Sequence, residues 1–347
     1  MTQSSQRPKR VAIFNDTSPG GHYGCFAVMS VLVEQLRRQN IEPVIFWPCS
    51  HDWRQYKDQI KSWDIDGLIV NGEGSIHNTA TRERAKFLTE LGPFCREVLK
   101  IPSVIVNASF YDLDEQAFRN LSAFDIISTR ESKSQTYLRE HGLASTLVPD
   151  FSFFSVLPTG LPNSRSGVFV TDSVFKNTTK ALSKLANDYE FHFEVMKNTP
   201  QARSQFGMIL KKISREFKNL LKKLDPRPPF YHELATNMEF DRFLDRLRSS
   251  ETVLTGRFHT TTLAIATRTP VLAIESNTPK ISAVLTDIFA STERVRPLKE
   301  ADLPDYFREV AQGYDYSEDE LAAIDAYLSH GRTALAGLFK SLASALR

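Results

Sequence analysis

Thr252-Val253-Leu254-Thr255-Gly256-Arg257-Phe258-His259-Thr260-Thr261-Thr262-Leu263 contains a short apolar strand, a glycine turn and the start of a helix. The strand Thr252–Thr255 is answered, after that helix, by a second apolar run, Val271–Ile274. Short apolar runs separated by helical stretches imply parallel strands covered on both faces, because an exposed face would alternate with polar residues. In such sheets ligands sit beyond the carboxyl ends of the strands, which is where Gly256 to His259 fall.

The same rhythm extends upstream. Val11–Phe14, Pro43–Trp47, Leu68–Val70, Ser103–Asn107, Phe124–Ser128 and Thr146–Val148 read as strands, with helices near Phe26–Arg38, Arg82–Leu99 and Ser132–His141. Between Pro149 and Ser166 the pattern dissolves into Pro, Gly, Ser and Asn, the best linker candidate. It then restarts: strand Gly167–Thr171, helix Thr178–Asn187, strand Phe191–Val195 and helix Phe240–Leu247. In the basic stretch Lys211–Lys223, Ile213, Phe217 and Leu220 recur at helical spacing, so its lysines are expected on a solvated face. A long amphipathic helix, about Glu318–Ala345, closes the chain. The expected fold is α/β, with two Rossmann-like doubly wound lobes facing a central cleft. Residues 1–157 would bind the acceptor and 158–347 the donor, the last helix packing back on the first lobe.

With 347 residues, 41% hydrophobic and 24% charged, the chain is globular and long enough for two cores. A net charge of +2 argues against a dedicated nucleic-acid binder. Cys25, Cys49 and Cys95 are odd in number and form no CxxC or Cys/His ligand spacing, so neither a disulfide framework nor a metal is expected. Neither a signal-peptide core nor an apolar run of transmembrane length is evident. The expected location is the cytoplasm, with peripheral association at the inner membrane face if the acceptor is lipid-linked.

Several strand-end segments carry candidate chemistry. Gly256 permits the turn, Arg257 offers a planar fork to phosphate or carboxylate, and His259 can donate a proton near neutral pH. A structural arginine and a core histidine are the plainer alternative. The loop after Ile274 brings Ser276, Asn277 and Lys280, and the end of the strand Gly167–Thr171 brings Ser173 and Lys176, as further donor contacts. On the other lobe, Asp16, Gly21 and His22 follow the first strand. The segment Asn71-Gly72-Glu73-Gly74-Ser75 is read as a turn that exposes Glu73 as base or orienter for a sugar hydroxyl, with His77 nearby. The glycines of the first loop do not match GxGxxG, so a dinucleotide is not expected.

The order of these segments resembles the polysaccharide pyruvyl transferase family over nearly the whole chain. The resemblance rests on Asn71-Gly72-Glu73-Gly74-Ser75, on Thr129-Arg130-Glu131-Ser132 with Leu138 and Gly142, and on Val148-Pro149-Asp150. Its most specific part is Gly256-Arg257-Phe258-His259 with Leu263-Ala264, Pro270-Val271 and Lys280. It implies a fold like that of two-lobed (GT-B-type) glycosyltransferases, phosphoenolpyruvate as co-substrate with no separate cofactor, and a pyruvate ketal on a glycan or lipid-linked saccharide. Arg257 and His259 match the family's donor-site arginine and histidine, and Arg130 is assigned to the acceptor side. Where the family often has an Asn-x-Gly-Asp turn, this chain has Gly21-His22-Tyr23-Gly24, which leaves the acceptor open. Two other readings stand beside this one: a glycosyltransferase using a nucleotide sugar, and a non-catalytic sugar-binding relative.

Overall fold

The computed structural model describes residues 7–49, 51–156, 164–197 and 228–346. Lys211–Lys223, residues 157–163 of the Pro149–Ser166 linker and with them the 157/158 boundary lie outside them. Two parallel sheets form the scaffold. The first contains β1 (Lys9–Asp16), β2 (Ile41–Pro48), β3 (Gly67–His77), β4 (Ser103–Tyr111), β5 (Ile126–Thr129) and β6 (Thr146–Leu147), in the order β2-β1-β3-β4-β5-β6. The second contains β7 (Val168–Ser173), β8 (His192–Glu194), β9 (Thr252–Gly256), β10 (Val271–Ile274) and β11 (Val295–Arg296), in the order β11-β10-β9-β7-β8. Both sheets reverse direction between their first and third strands, so each has a switch point where the loops diverge and leave a crevice.

The strands are apolar on both faces because helices cover both. Val11 and Ile13 pack with Leu32 and Leu36 of the helix Tyr23–Arg38, whereas Ala12 and Phe14 face Trp47 and Phe94 on the other side. In the second lobe Val253 and Val271 join Leu263 and Ile281 on one face, while Leu254 and Leu272 meet Leu303 and Phe307 on the other. The final helix, Glu318–Ala345, starts with a capping box between Ser317 and Glu320. Its end buries Leu335, Leu338, Phe339 and Leu342 in the core of the first lobe, and its start buries Ile324 and Leu328 in that of the second.

Two expectations need correction. Asn71 to Ser75 is not a turn: β3 continues to His77, paired with β4 and interrupted between Glu73 and Ile76. Glu73 takes φ +41° at that irregularity, which turns its side chain out of the regular pleat. The stretch Arg82–Leu99 is likewise not one regular helix but Glu83–Thr89, a short α-helical turn Leu91–Pro93 and a π-helical segment, Phe94–Leu99. Gly92 and Pro93 fall where it breaks.

Candidate active site

The two switch points face each other. Thr17 after β1 and Glu73 in β3 confront Arg257 and His259 after β9 across a cavity of about 230 Å³. Arg82, Arg84 and Arg130 from the first lobe, and Ser276 and Lys280 from the second, complete its wall. Four arginines, of which Arg130 and Arg257 are paired with Asp150 and Asp172 behind the wall, together with Lys280 and one carboxylate, Glu73, therefore line a space small enough for one compact ligand. That charge balance strongly favours an anion.

His259 is held by packing rather than by a direct hydrogen bond. The helix Phe258–Ala266 is buried along its whole length, and its first turn meets the first turn of the helix Tyr23–Arg38 at Gly24. A Cβ on Gly24 would stand 2.1 Å from the Cβ of His259. The Gly24→Ala variant is thus expected to force these helices apart, at a cost of about 1–3 kcal/mol or more. Thermal melting should show the loss, and ligand titration should show weaker anion binding. Unchanged melting and binding would mean that the approach is not required.

Behind His259 lies a buried polar column. Its Nε2 is 3.9 Å from Asp150 Oδ2, too far to donate to it, and has no hydrogen-bond partner. Asp150 accepts from Arg130 Nη1 at 2.8 Å, from Asn107 Nδ2 at 3.3 Å and from the Ser152 backbone N–H at 3.0 Å. Burial pushes the Asp150 carboxyl up, but the positive charge beside it, at His259 when protonated and at Arg130, outweighs burial and keeps it ionised. Arg130 also donates from Nε to Ser109 Oγ at 2.7 Å, and its guanidinium stacks 4.2 Å from the centroid of the Phe258 ring. Burial lowers the pKa of His259, and Asp150 and Glu73 offset this only in part. The resting imidazole is therefore neutral at pH 7.

Arg257 is anchored by Asp172 at the end of β7, and Asp172 also accepts from the Met196 backbone N–H at 3.0 Å. Its Nε remains buried without a partner. A Cβ on Gly256 would lie 2.7 Å from the Cβ of Ser173, so only glycine lets β9 pass β7 here. Lys280, at the first turn of the helix Lys280–Phe289, contacts Asn277 Oδ1 at 3.3 Å. Its pKa falls to about 8 through burial first and then through Arg130. A group in that state attracts anions fully below pH 8 and loses its charge above it.

The expected site residues divide. Arg257, His259, Glu73, His22, Ser276, Lys280 and Arg130 come together around the cavity. Arg130 reaches the cavity as part of the His259 column. Gly256 shapes the turn from behind, and Ser173 packs against it and accepts from the Phe175 N–H at 3.3 Å. Lys176 lies in a different, shallow recess with Asn177, Leu298 and Glu300. Asp16 faces away, bonded by the Tyr231 hydroxyl and the Ser18 N–H, and Gly21 is a left-handed helix cap. His77 is occupied by Asn78 and Arg82, and Asn277 is exposed beyond the wall. Arg82, Arg84, Thr17 and Cys25 were not anticipated. Only Thr17 and Cys25 fall near a strand end already singled out, while the two arginines are brought in by the helix that follows β3.

One cluster has metal-ligand chemistry that sequence spacing did not suggest. The ligand atoms of His22, Cys25 and His259 lie within 4.8 Å of one another. Cys25 Sγ donates to Glu73 Oε2 at 3.4 Å, and His22 Nδ1 accepts from the Cys25 N–H at 3.4 Å. Burial pushes the Cys25 thiol well up and, with the charge of His259 and Arg257, pushes His22 well down. In the unliganded protein the thiol is therefore protonated and the imidazole neutral, and both face the cations of the cavity.

Two parallel α/β lobes closing on a cation-lined cavity define a GT-B glycosyltransferase-like fold. The structure is similar to that of Staphylococcus aureus MnaA with UDP (TM-score 0.51, 14% identity, covering 91% of this chain and 90% of that one). It is also similar to Methanocaldococcus jannaschii UDP-GlcNAc 2-epimerase in complex with UDP-GlcNAc and UDP (TM-score 0.52, 12% identity, 93% and 100%). At such identities these likenesses establish the fold alone. The chain belongs to the polysaccharide pyruvyl transferase family, whose sequence profile matches residues 22–278. No curated protein sequence gives a significant match. Among the described residues no helix is long and apolar enough to cross a membrane.

Proposed function

We propose that the protein transfers a pyruvyl group from phosphoenolpyruvate to a saccharide, forming a ketal. The carrying observation is the charge of the cavity: Arg82, Arg84, Arg130, Arg257 and Lys280 outnumber Glu73 and the buried partners Asp150 and Asp172, around a volume of about 230 Å³. A compact donor bearing a phosphate and a carboxylate uses several cations at once, and its size suits the space. Arg257 and Lys280 hold its charged groups, assisted by Arg130 through the Phe258 face.

As the anion enters, its charge raises the affinity of His259 for a proton, and the imidazolium then protonates the donor's methylene carbon. An acceptor hydroxyl oxygen bonds to the adjacent carbon as its proton departs. The carbon–oxygen bond to phosphate breaks, and a second hydroxyl of the same sugar closes the ketal. Of the two hydroxyl protons, one restores the imidazolium's loss and the other leaves with inorganic phosphate. Asp150 stabilises the imidazolium from 3.9 Å, and its own partner Arg130 keeps it ionised. Positioning and charge placement carry most of the barrier reduction.

Calorimetric titration with phosphoenolpyruvate and, separately, UDP tests the donor, and mass spectrometry of glycans incubated with the protein and phosphoenolpyruvate tests the product. Phosphoenolpyruvate should bind, with affinity falling as pH rises through about 8 where Lys280 discharges. Binding of UDP without phosphoenolpyruvate would overturn the assignment in favour of a nucleotide-sugar enzyme.

A further inference from the structure

Beside the anion cavity lies a second recess, of about 340 Å³, which shares Lys280 as its partition. Its walls come from both lobes: Phe110, Glu131 and Tyr137 from the first, Thr278, Pro279 and Ala283 from the second. Its chemistry is the opposite of its neighbour's. Its charged groups, Asp112 and Glu131 against Lys133 and Lys280, balance, and aromatic and aliphatic surfaces supply the rest. Such a lining suits a neutral ligand with an apolar face and hydroxyl edges. At above ~300 Å³ it is in the size range of a small-molecule site.

Glu131 is the polar centre of this recess. It is buried, accepts from Ser109 Oγ at 2.9 Å and from Ser134 Oγ, and stands 3.8 Å from Arg130 Nε. Arg130 in turn bonds Asp150, beside His259. Thus one residue step, Arg130 to Glu131, joins the two compartments. Burial raises the Glu131 carboxyl to about 7, so near neutral pH it both accepts from and donates to hydroxyl groups. Tyr137 lines the same recess and is fixed by its hydroxyl, which accepts from the Leu113 N–H at 2.9 Å.

We propose that this recess is the acceptor subsite, holding one sugar ring with its apolar face on Phe110 and Tyr137 and its hydroxyls toward Glu131 and Lys280. The inference deepens the pyruvyl-transfer reading and rests on it for the word acceptor. It moves the acceptor from the loop after β1, where Asp16 and Gly21 were expected to meet it, to the ends of β4 and β5. The reaction needs two hydroxyls of one sugar beside an anion that already occupies the cationic cavity, and the recess lies across a single lysine from it.

The test uses the full chain, saturation-transfer NMR with the methyl glycosides of glucose, galactose, mannose and N-acetylglucosamine, and parallel calorimetry with phosphoenolpyruvate. At least one glycoside should give a signal with phosphoenolpyruvate present. Thr278→Trp, which fills the recess from its rim, should reduce that signal at least fivefold and leave phosphoenolpyruvate affinity within twofold. Glu131→Gln, which keeps the volume, should weaken the same glycoside at least threefold, so the outcome does not hang on one variant's folding. The proposal is overturned if no glycoside binds the wild-type protein, if binding survives both substitutions, or if UDP rather than a glycoside is displaced by Thr278→Trp. Glycoside binding that obeys these variants in a protein that ignores phosphoenolpyruvate would overturn the donor assignment and leave the sugar recess standing.

Discussion

Replacing His259 with alanine is expected to lower pyruvyl transfer by about 10²–10⁴-fold, the range for loss of a positioned general acid. Phosphoenolpyruvate affinity should change far less, because the cations that hold it are other residues. Protonation of the imidazole decides the effect. In the unliganded protein the buried imidazole is neutral, and its Nε2 has no partner although Asp150 lies 3.9 Å away. An incoming anion reverses that balance, so ligand binding should take up a proton near neutral pH. Calorimetry in two buffers of different ionisation enthalpy reads that uptake directly. Wild-type protein should show it at pH 7, and His259→Ala should retain only the small part taken up by Lys280. Equal proton uptake in both, or an alanine variant with nearly full turnover, would remove His259 from the proposed role.

The second large effect falls on Arg130. Its guanidinium neutralises a carboxylate that has no access to water, and Asp150 cannot relax to another cation of permanent charge. Removing one partner of such a buried pair costs about 3–5 kcal/mol, because the other charge is stranded. Arg130→Met keeps an apolar stem of similar length and loses the charge, its hydrogen bonds and the guanidinium's stacking on Phe258. It should lower the melting temperature on the order of 10 °C and weaken donor binding. Pairing it with Asp150→Asn should recover much of the stability but none of the donor affinity, since stability depends on the pair and binding on the cation. Additive losses in melting temperature would show that the two residues are not coupled as described.

Arg130 also illustrates the limit of sequence reading. The segment Thr129-Arg130-Glu131-Ser132 was recognisable as a motif, but whether its arginine faces acceptor or donor depends on where β5 ends relative to β9. Those ends come from different sheets. The packing of Gly24 against His259, the stacking of Arg130 on Phe258 and the union of Lys280 with both compartments all bridge lobes separated by more than a hundred residues. Lys176 and Asp16 failed to enter the cavity for the converse reason. Each follows the right strand, but local bonding or the start of a helix turns it elsewhere.

Apolar runs and their spacing were enough to decide most of the strands and the α/β class, because burial on both faces of a sheet is written in consecutive residues, whereas the short edge strand Val295–Arg296 and the extension of β3 to His77 carry no such run. The final helix could be read to its ends, with its N-terminal cap in the chain itself. Which strand ends oppose one another, and so which charges share one small space, was left to the closing of the lobes. Charge interacts through distance in space, and local pattern carries no information about a neighbour that arrives from the other sheet.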